Sequence, residues 1–124
     1  MSMNRNHQGF TATAAVAAFL LVQQGASDDA CTPATAPTQS IIGASDNVPK
    51  DIGEIVDVPA FGVHEVTLGA AVTRGQELTA DATSRAVPCA PGAGVNHYYF
   101  GFALQSGVAG DRIRYQVARG IKQG

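Results

Sequence analysis

The stretch that decides the fold is Phe100-Gly-Phe-Ala-Leu104, followed by Gly107-Val-Ala-Gly-Asp111 and Arg112-Ile-Arg-Tyr-Gln-Val117. The last of these segments alternates strictly between polar and apolar residues, and a glycine-containing turn precedes it. This combination is typical of a half-buried strand that closes an antiparallel hairpin. An earlier block, residues 71–78, has the same order of turn, polar and apolar residues. These patterns predict a β domain and do not by themselves indicate a function.

Eight further segments have the character of strands, and the turns between them are rich in glycine, proline, asparagine and aspartate. With the closing strand, the predicted segments are residues 17–24, 30–32, 40–43, 53–58, 61–68, 76–79, 85–88, 97–104 and 112–118. Their spacing is close to that of a sandwich or barrel. We therefore expect an all-β fold, a small antiparallel sandwich or partly open barrel with an extended N-terminal arm. The predicted divisions are an arm at residues 1–13, a β domain at 14–120 and a C-terminal tail at 121–124.

Composition and charge limit the possible functions. Only 6% of the 124 residues are aromatic and 15% are charged, so the core must be built from small and β-branched side chains. A net charge of −2 argues against general nucleic-acid binding, because proteins with that function need a dense basic surface. Seven acids and the single base Lys50 lie between Asp28 and Glu65, whereas six bases and three acids follow from Val66 onward. This asymmetry has two interpretations. The charges lie on ordinary solvated strand faces, or they orient neighbouring subunits or dock one face on an acidic shell.

The sequence contains no local motif for catalysis or metal binding. His64 and His97 lie apart from cysteine, serine and paired carboxylates, and Glu65 points to the strand face opposite His64. Cys31 and Cys89 are far apart, without a C-x-x-C pair or histidine at ligand spacing, so a zinc site is not expected. The two cysteines form either one disulfide or, if the chain stays in a reducing compartment, two buried thiols. We predict no enzymatic activity and no cofactor.

An apolar run near the N-terminus permits two interpretations. Residues 14–22 follow Arg5 and resemble the charged start and apolar middle of a secretory signal. The run is shorter than the roughly 20 apolar residues that a membrane-spanning helix needs. The alternative is that residues 17–24 form the first strand of the domain.

Three motifs in the second half of the chain resemble the capsid decoration, or cement, proteins of tailed bacteriophages. The motifs are Val72-Thr-Arg-Gly-Gln-Glu-Leu-Thr-Ala-Asp81, Ser84-Arg-Ala-Val87 and Gly101-Phe-Ala-Leu-Gln-Ser-Gly-Val-Ala-Gly-Asp111. In that family a V-T-R-G-x-x-L-T-x-D run precedes a G-x-A-L-x-S-G-x-A-G-D run at about this distance. A weaker match at residues 18–25 and 41–45 extends the resemblance over residues 14–120.

The resemblance implies a structural virion protein on the outer surface of the capsid, assembled in the host cytoplasm. It would bind the major capsid protein, bridge capsomers and reinforce the shell against internal DNA pressure. It would also associate with itself, with a trimer favoured, and would contact neither nucleic acid directly nor a membrane.

The interface of such a protein is expected to include the arm and the aromatic run His97-Tyr-Tyr-Phe-Gly-Phe102. Because the arm has no hydrophobic period, we expect it to lie against another subunit or the capsid floor, and its deletion (residues 1–12) to weaken attachment without unfolding the domain. Alternation predicts that Tyr98, Phe100 and Phe102 share one face, and that Tyr99 lies on the other, where a neighbouring sheet or subunit would cover it. The candidate interface residues are Arg5, His7, Phe10, Tyr98, Tyr99, Arg112, Arg114, Arg119 and Lys122.

Two other classes of protein make different predictions. An exported β-sandwich module that recognises a surface glycan or protein would have a mature chain starting near residues 25–30 and a disulfide between Cys31 and Cys89. A small hydrolase would have a cleft in which His64 or His97 meets a carboxylate.

Overall fold

A computed structural model describes residues 7–46, 48–59 and 61–124, and these ranges contain ten strands and no helix. All nine predicted segments overlap β2 to β10, so the prediction of an all-β fold is confirmed. The strands are β1 His7–Ala12, β2 Leu21–Gln24, β3 Ala30–Pro33, β4 Ile41–Ala44, β5 Ile55–Pro59, β6 Val63–Thr67, β7 Glu77–Ala80, β8 Ala86–Pro88, β9 Asn96–Ala103 and β10 Arg112–Gln123.

The strands form two sheets that follow chain order. The first five make one sheet in the order β4-β2-β3-β1-β5, and the last five make the other in the order β6-β10-β9-β7-β8. One sheet curves into a half-barrel. The pairing is antiparallel except between β1 and β3, which are parallel. The chain therefore passes from one sheet to the other between β5 and β6.

β1 is the strand that the sequence did not predict. It lies between β3 and β5, with Thr11 opposite both Ala30 and Ile55. Ala12 is only 1% exposed. The segment gains order from two neighbouring strands rather than from its own pattern, which contains a glycine and little alternation. Residues 1–6, with Arg5, lie outside the described part of the chain.

Strand pairing does not follow the predicted divisions of the chain. It begins at His7, within the predicted arm, and continues to Gln123, within the predicted tail. Deleting residues 1–12 would remove a strand from the interior of the first sheet, so the structure does not support the expectation that this deletion leaves the domain folded.

Two hydrophobic clusters hold the fold together, and both consist largely of small and β-branched side chains. The larger cluster contains buried residues from both sheets, and the rings of Phe100 and Tyr115 meet there edge to face at 5.1 Å. The smaller cluster belongs to the first sheet and includes Val16, Val22 and Val56. Val16 and Val22 belong to the apolar run that resembles a secretory signal. Their burial shows that the run is part of the folded domain.

Backbone hydrogen bonds also join the sheets. Phe19 has a φ of 57°, which is unusual for a bulky residue. In this conformation its N–H donates to the carbonyl of Asp46 at 3.1 Å, and its own carbonyl accepts from Thr67 N on β6 at 3.0 Å. Leu21 N donates at 2.8 Å to the carbonyl of Ser84, a buried residue that also has a positive φ. These bonds fix one sheet relative to the other.

Cys31 lies on β3 of the first sheet, Cys89 directly follows β8 of the second, and both are buried free thiols. Across the described ranges, no helix combines the length and the apolar character needed to span a membrane.

Candidate functional site

The candidate site is built on a bulge between β9 and β10. Val117 pairs with Gly101, but the next pair is Gly120 with Tyr99, so β10 carries one extra residue at this point. A bulge of this kind bends its strand and changes the direction of the side chains beside it. Arg119 lies within the bulge, and the alternation of β10 therefore does not determine where its guanidinium points.

The same bulge overturns the predicted faces of the aromatic run. Phe100 is fully buried against Tyr115, whereas Phe102 is only partly buried and its ring contacts that of Tyr99 at 5.8 Å. Phe100 and Phe102 therefore do not share a face. Gly101 allows the change because it lies directly against β10: a side chain there would meet the ring of Tyr115 at 2.8 Å and overlap the carbonyl oxygen of Gln116.

A groove of about 250 Å³ lies beside the bulge, where the start of β4 meets β9 and the end of β10. Gly120 shapes it, since a Cβ at this position would lie 2.5 Å from the hydroxyl of Tyr99. Tyr98 N donates to the carbonyl of Pro37 at 2.8 Å, which ties one wall to the loop before β4. We call this feature the tyrosine groove; its lining residues are Ser40, Ile41, Tyr98, Tyr99, Arg119, Gly120 and Ile121.

The tyrosine groove combines apolar surface with one positive charge. Arg119 is the only charged residue in its lining, and no carboxylate lies within ion-pair distance of Arg119 in the described part of the chain. By contrast, Lys122 lies 2.8 Å from Glu77, and the hydrogen bond to that carboxylate raises the pKa of Lys122. A guanidinium with free donors beside aromatic rings is suited to a carboxylate that carries an apolar neighbour.

A second groove, of about 400 Å³, holds two more of the candidate interface residues. Arg114 lines it, and Arg112 lies at its edge with its guanidinium 4.3 Å above the ring of Phe19 and 3.5 Å from a carboxylate oxygen of Glu65. We call it the histidine groove; its lining residues are Phe19, Ser45, Asp46, Pro59, Val63, His64, Glu65 and Arg114. The candidate tyrosines and Arg119 thus lie in one groove, and Arg112 and Arg114 lie at the other.

The histidine groove contains serine, histidine and carboxylate side chains, but its serine hydroxyl is held by the backbone. The hydroxyl of Ser45 donates to the carbonyl of Ala17 at 2.7 Å and accepts from Leu20 N at 3.3 Å, so it is committed to the backbone. Ser45 is also only 3% exposed. His64 Nε2 lies 3.2 Å from the carbonyl of Phe61, and His97 is opposite Lys122 rather than a carboxylate. Among the described residues, no three metal-ligating side chains come together.

The remaining described candidates are not lining residues of either groove. Phe10 packs against the smaller hydrophobic cluster, the backbone of His7 pairs with Pro59 at the histidine groove, and Lys122 follows Ile121 of the tyrosine groove. Sequence reasoning missed Ile41 and Ile121 as lining residues. No pattern marked either residue: the alternation of polar and nonpolar residues does not continue through residues 119–123, and Ile41 comes from the other sheet.

Comparisons with known proteins agree with this fold. A family model described as "Phage cement protein" matches residues 3–120. A solved structure titled "The crystal structure of head fiber gp8.5 N base in bacteriophage phi29" aligns with a TM-score of 0.62 and 20% sequence identity, covering 90% of this chain and 92% of that chain. At this identity the likeness concerns the fold alone. The comparison with curated proteins gave no match.

Proposed function

Because the chain belongs to the phage cement protein family, we propose that it attaches to the major capsid protein and bridges neighbouring capsomers. Membership of this family makes it a structural protein of the virion, located on the exterior of the head. The observation that carries the proposal is the family match itself, which extends over residues 3–120 and so includes both sheets.

The proposed mechanism is mechanical rather than chemical. When a subunit holds two capsomers at once, one weak contact keeps the second binding surface close to its partner. The second contact then forms at a high effective concentration, so the two contacts together last longer than either one alone. The two sheets are suited to carry such a load, because buried side chains and backbone hydrogen bonds connect them. We further propose that the subunits form a homo-oligomer, with a trimer favoured.

The proposed capsid contact is the histidine groove. Arg114 lines it, and no carboxylate lies within ion-pair distance of Arg114 in the described ranges. Unpaired guanidinium groups favour an acidic partner surface.

The experiment uses phage heads prepared without the protein. Purified full-length chain is added, bound copies are counted after sedimentation, and the temperature of DNA release is measured. We expect saturable binding and a higher release temperature, because bridged capsomers must separate together. Binding without any change in release temperature would contradict bridging, and no binding at all would contradict attachment.

A pair of charge reversals locates the contact. Arg114→Glu should reduce occupancy at least tenfold, whereas Arg74→Glu, at an exposed loop arginine outside both grooves, should leave it unchanged. If both substitutions reduced occupancy equally, the attraction would depend on the net charge of the chain and not on the surface around Arg114.

A further inference from the structure

An exposed isoleucine marks the connection between β4 and β5. Ile52 is 71% exposed, the highest value among the large hydrophobic side chains of the described residues. Val48 and Ile55, on either side of it, are also exposed. Solvent-exposed apolar side chains that cluster in this way often mark a contact with another molecule. We call residues 48–55 the isoleucine loop.

The isoleucine loop is held in place by the backbone. Lys50 and Val16 exchange two hydrogen bonds of 2.8 and 2.9 Å, and Gly53 N donates to the carbonyl of Ala12 at 2.8 Å. Asp51 N donates to a carboxylate oxygen of Glu54 at 2.7 Å. Ile52 is therefore presented by an ordered turn, so binding through it costs little conformational entropy.

The chemistry of this loop complements that of the tyrosine groove. The loop offers an apolar side chain next to the carboxylate of Asp51, and the groove offers apolar and aromatic walls next to the guanidinium of Arg119. The carboxylate of Glu54 already accepts a hydrogen bond within the loop. In a contact between two copies, the carboxylate of Asp51 would therefore pair with the guanidinium of Arg119. The side chain of Ile52 would fill the space between the two tyrosines and Ile121.

The two features lie apart within one copy. Ile41, in the lining of the groove, belongs to β4, which is an edge strand of the first sheet. The loop is bonded to Ala12 of β1, three strand positions away in the same sheet, or about 14 Å. Two different surfaces that fit each other and lie apart on one molecule produce a head-to-tail contact, which closes into a ring or continues as a chain.

We propose that the isoleucine loop of one copy binds in the tyrosine groove of a second copy. This proposal deepens the oligomerisation part of the proposed function, and it can be tested without a phage head. The bound state pairs one carboxylate with one guanidinium in each contact, and it removes the exposed isoleucine from water.

Charge reversal provides the test. The molar mass of the full chain in solution is measured by size-exclusion chromatography with light scattering over a range of concentrations. We expect the unchanged chain to form an oligomer, and Arg119→Glu and Asp51→Arg each to weaken association at least tenfold. The variant that carries both substitutions should associate again, because every contact then pairs the new carboxylate of the groove with the new guanidinium of the loop.

Matched controls separate the contact from general effects. Arg74→Glu and Asp28→Arg reverse exposed charges elsewhere and should leave association unchanged. Ile52→Ser should weaken association, whereas Val108→Ser, at an exposed valine in the β9–β10 turn, should not. Circular dichroism is used to check that each variant is folded.

The remaining outcomes decide the proposal. A monomeric parent chain, a double variant that stays dissociated, or controls that disrupt association equally would each overturn it. Binding to heads is measured separately with the same variants. If Arg119→Glu abolishes head binding and leaves association intact, the groove belongs to the capsid contact and the proposed subunit contact is wrong.

Discussion

The hydroxyl of Tyr115, on β10 of the second sheet, accepts a hydrogen bond of 3.3 Å from the backbone N–H of Ala44, on β4 of the first. Tyr115 is completely buried. Tyr115→Phe keeps the ring but leaves a buried donor without its acceptor, so we expect the free energy of unfolding to fall by about 1–2 kcal/mol. Urea denaturation measures this value. Tyr99→Phe, at the partly exposed wall of the tyrosine groove, should change it by less than about 0.5 kcal/mol.

Alkaline pH should weaken the fold through the same side chain. Burial raises the pKa of Tyr115 to about 12, and the hydrogen bond from Ala44 lowers it by a smaller amount. The unfolded phenol titrates near pH 10. Because the folded pKa lies above the unfolded one, the stabilisation is complete below about pH 10 and is lost as the pH rises towards 12.

The size of this loss is about 2–3 kcal/mol, from a pKa difference of about two units. The measured quantity is the difference in this loss between the parent chain and Tyr115→Phe, which isolates the contribution of the one hydroxyl. If the two chains lose stability in parallel between pH 9 and 12, the assigned cause is incorrect.

A methyl group at Gly101 should destabilise the fold strongly. In Gly101→Ala the new methyl would overlap the carbonyl oxygen of Gln116 and press on the ring of Tyr115. Both are fixed parts of a strand or the core, so we expect a loss of about 3 kcal/mol or more in the free energy of unfolding. Gly92→Ala is the control, because a Cβ there meets nothing within 4 Å. A melting temperature of Gly101→Ala equal to that of the control would contradict the close approach.

Truncation at the N-terminus should separate folding from attachment. Deleting residues 1–12 removes β1, which pairs with β3 and β5. We expect this variant not to fold to a native-like domain and therefore to show no cooperative unfolding transition. Deleting residues 1–6 leaves every described strand in place, so its melting temperature should stay within a few degrees of that of the full chain. The shorter deletion is therefore the proper test of whether the first residues contribute to attachment, with occupancy on heads as the measurement.

The thiols should remain reduced and unreactive in the folded chain. Burial raises the pKa of both Cys31 and Cys89, which lowers the fraction of reactive thiolate. We expect a thiol reagent to label the folded chain at least a hundredfold more slowly than the urea-unfolded chain. Reductant should leave the melting temperature unchanged. An intact mass two daltons below that of the reduced chain would instead indicate the disulfide of an exported protein.

Local patterns explain what could be predicted from the sequence. The alternation of residues 112–117 correctly indicated that Ile113 and Tyr115 face the core, because a strand's period is a property of the segment itself. β1 was missed because its order comes from strands that lie much later in the chain. The faces of Phe100 and Phe102 were assigned wrongly because a bulge depends on how two strands pair.

The candidate site shows the same limit. Tyr98, Tyr99 and Arg119 were each identified as candidates, and the structure brings these three together in one groove. Ser40 and Ile41 complete the groove from the other sheet, and no pattern within β9 or β10 contains that information. The separation of Arg112 and Arg114 from the tyrosines likewise arises from tertiary packing.

The position of β1 sets the order in which a newly made subunit can fold. Residues 7–12 leave the ribosome first, yet their partners in the sheet are residues 30–33 and 55–59, which are synthesised later. The ladder on both sides of β1 therefore cannot form until residue 59 has emerged, and the chain loses the entropy of closing these loops before it gains the pairing. A nascent chain that stalls earlier exposes the bare flanks of β1 and β3, and such flanks recruit strands from other unfinished chains and lead to aggregation.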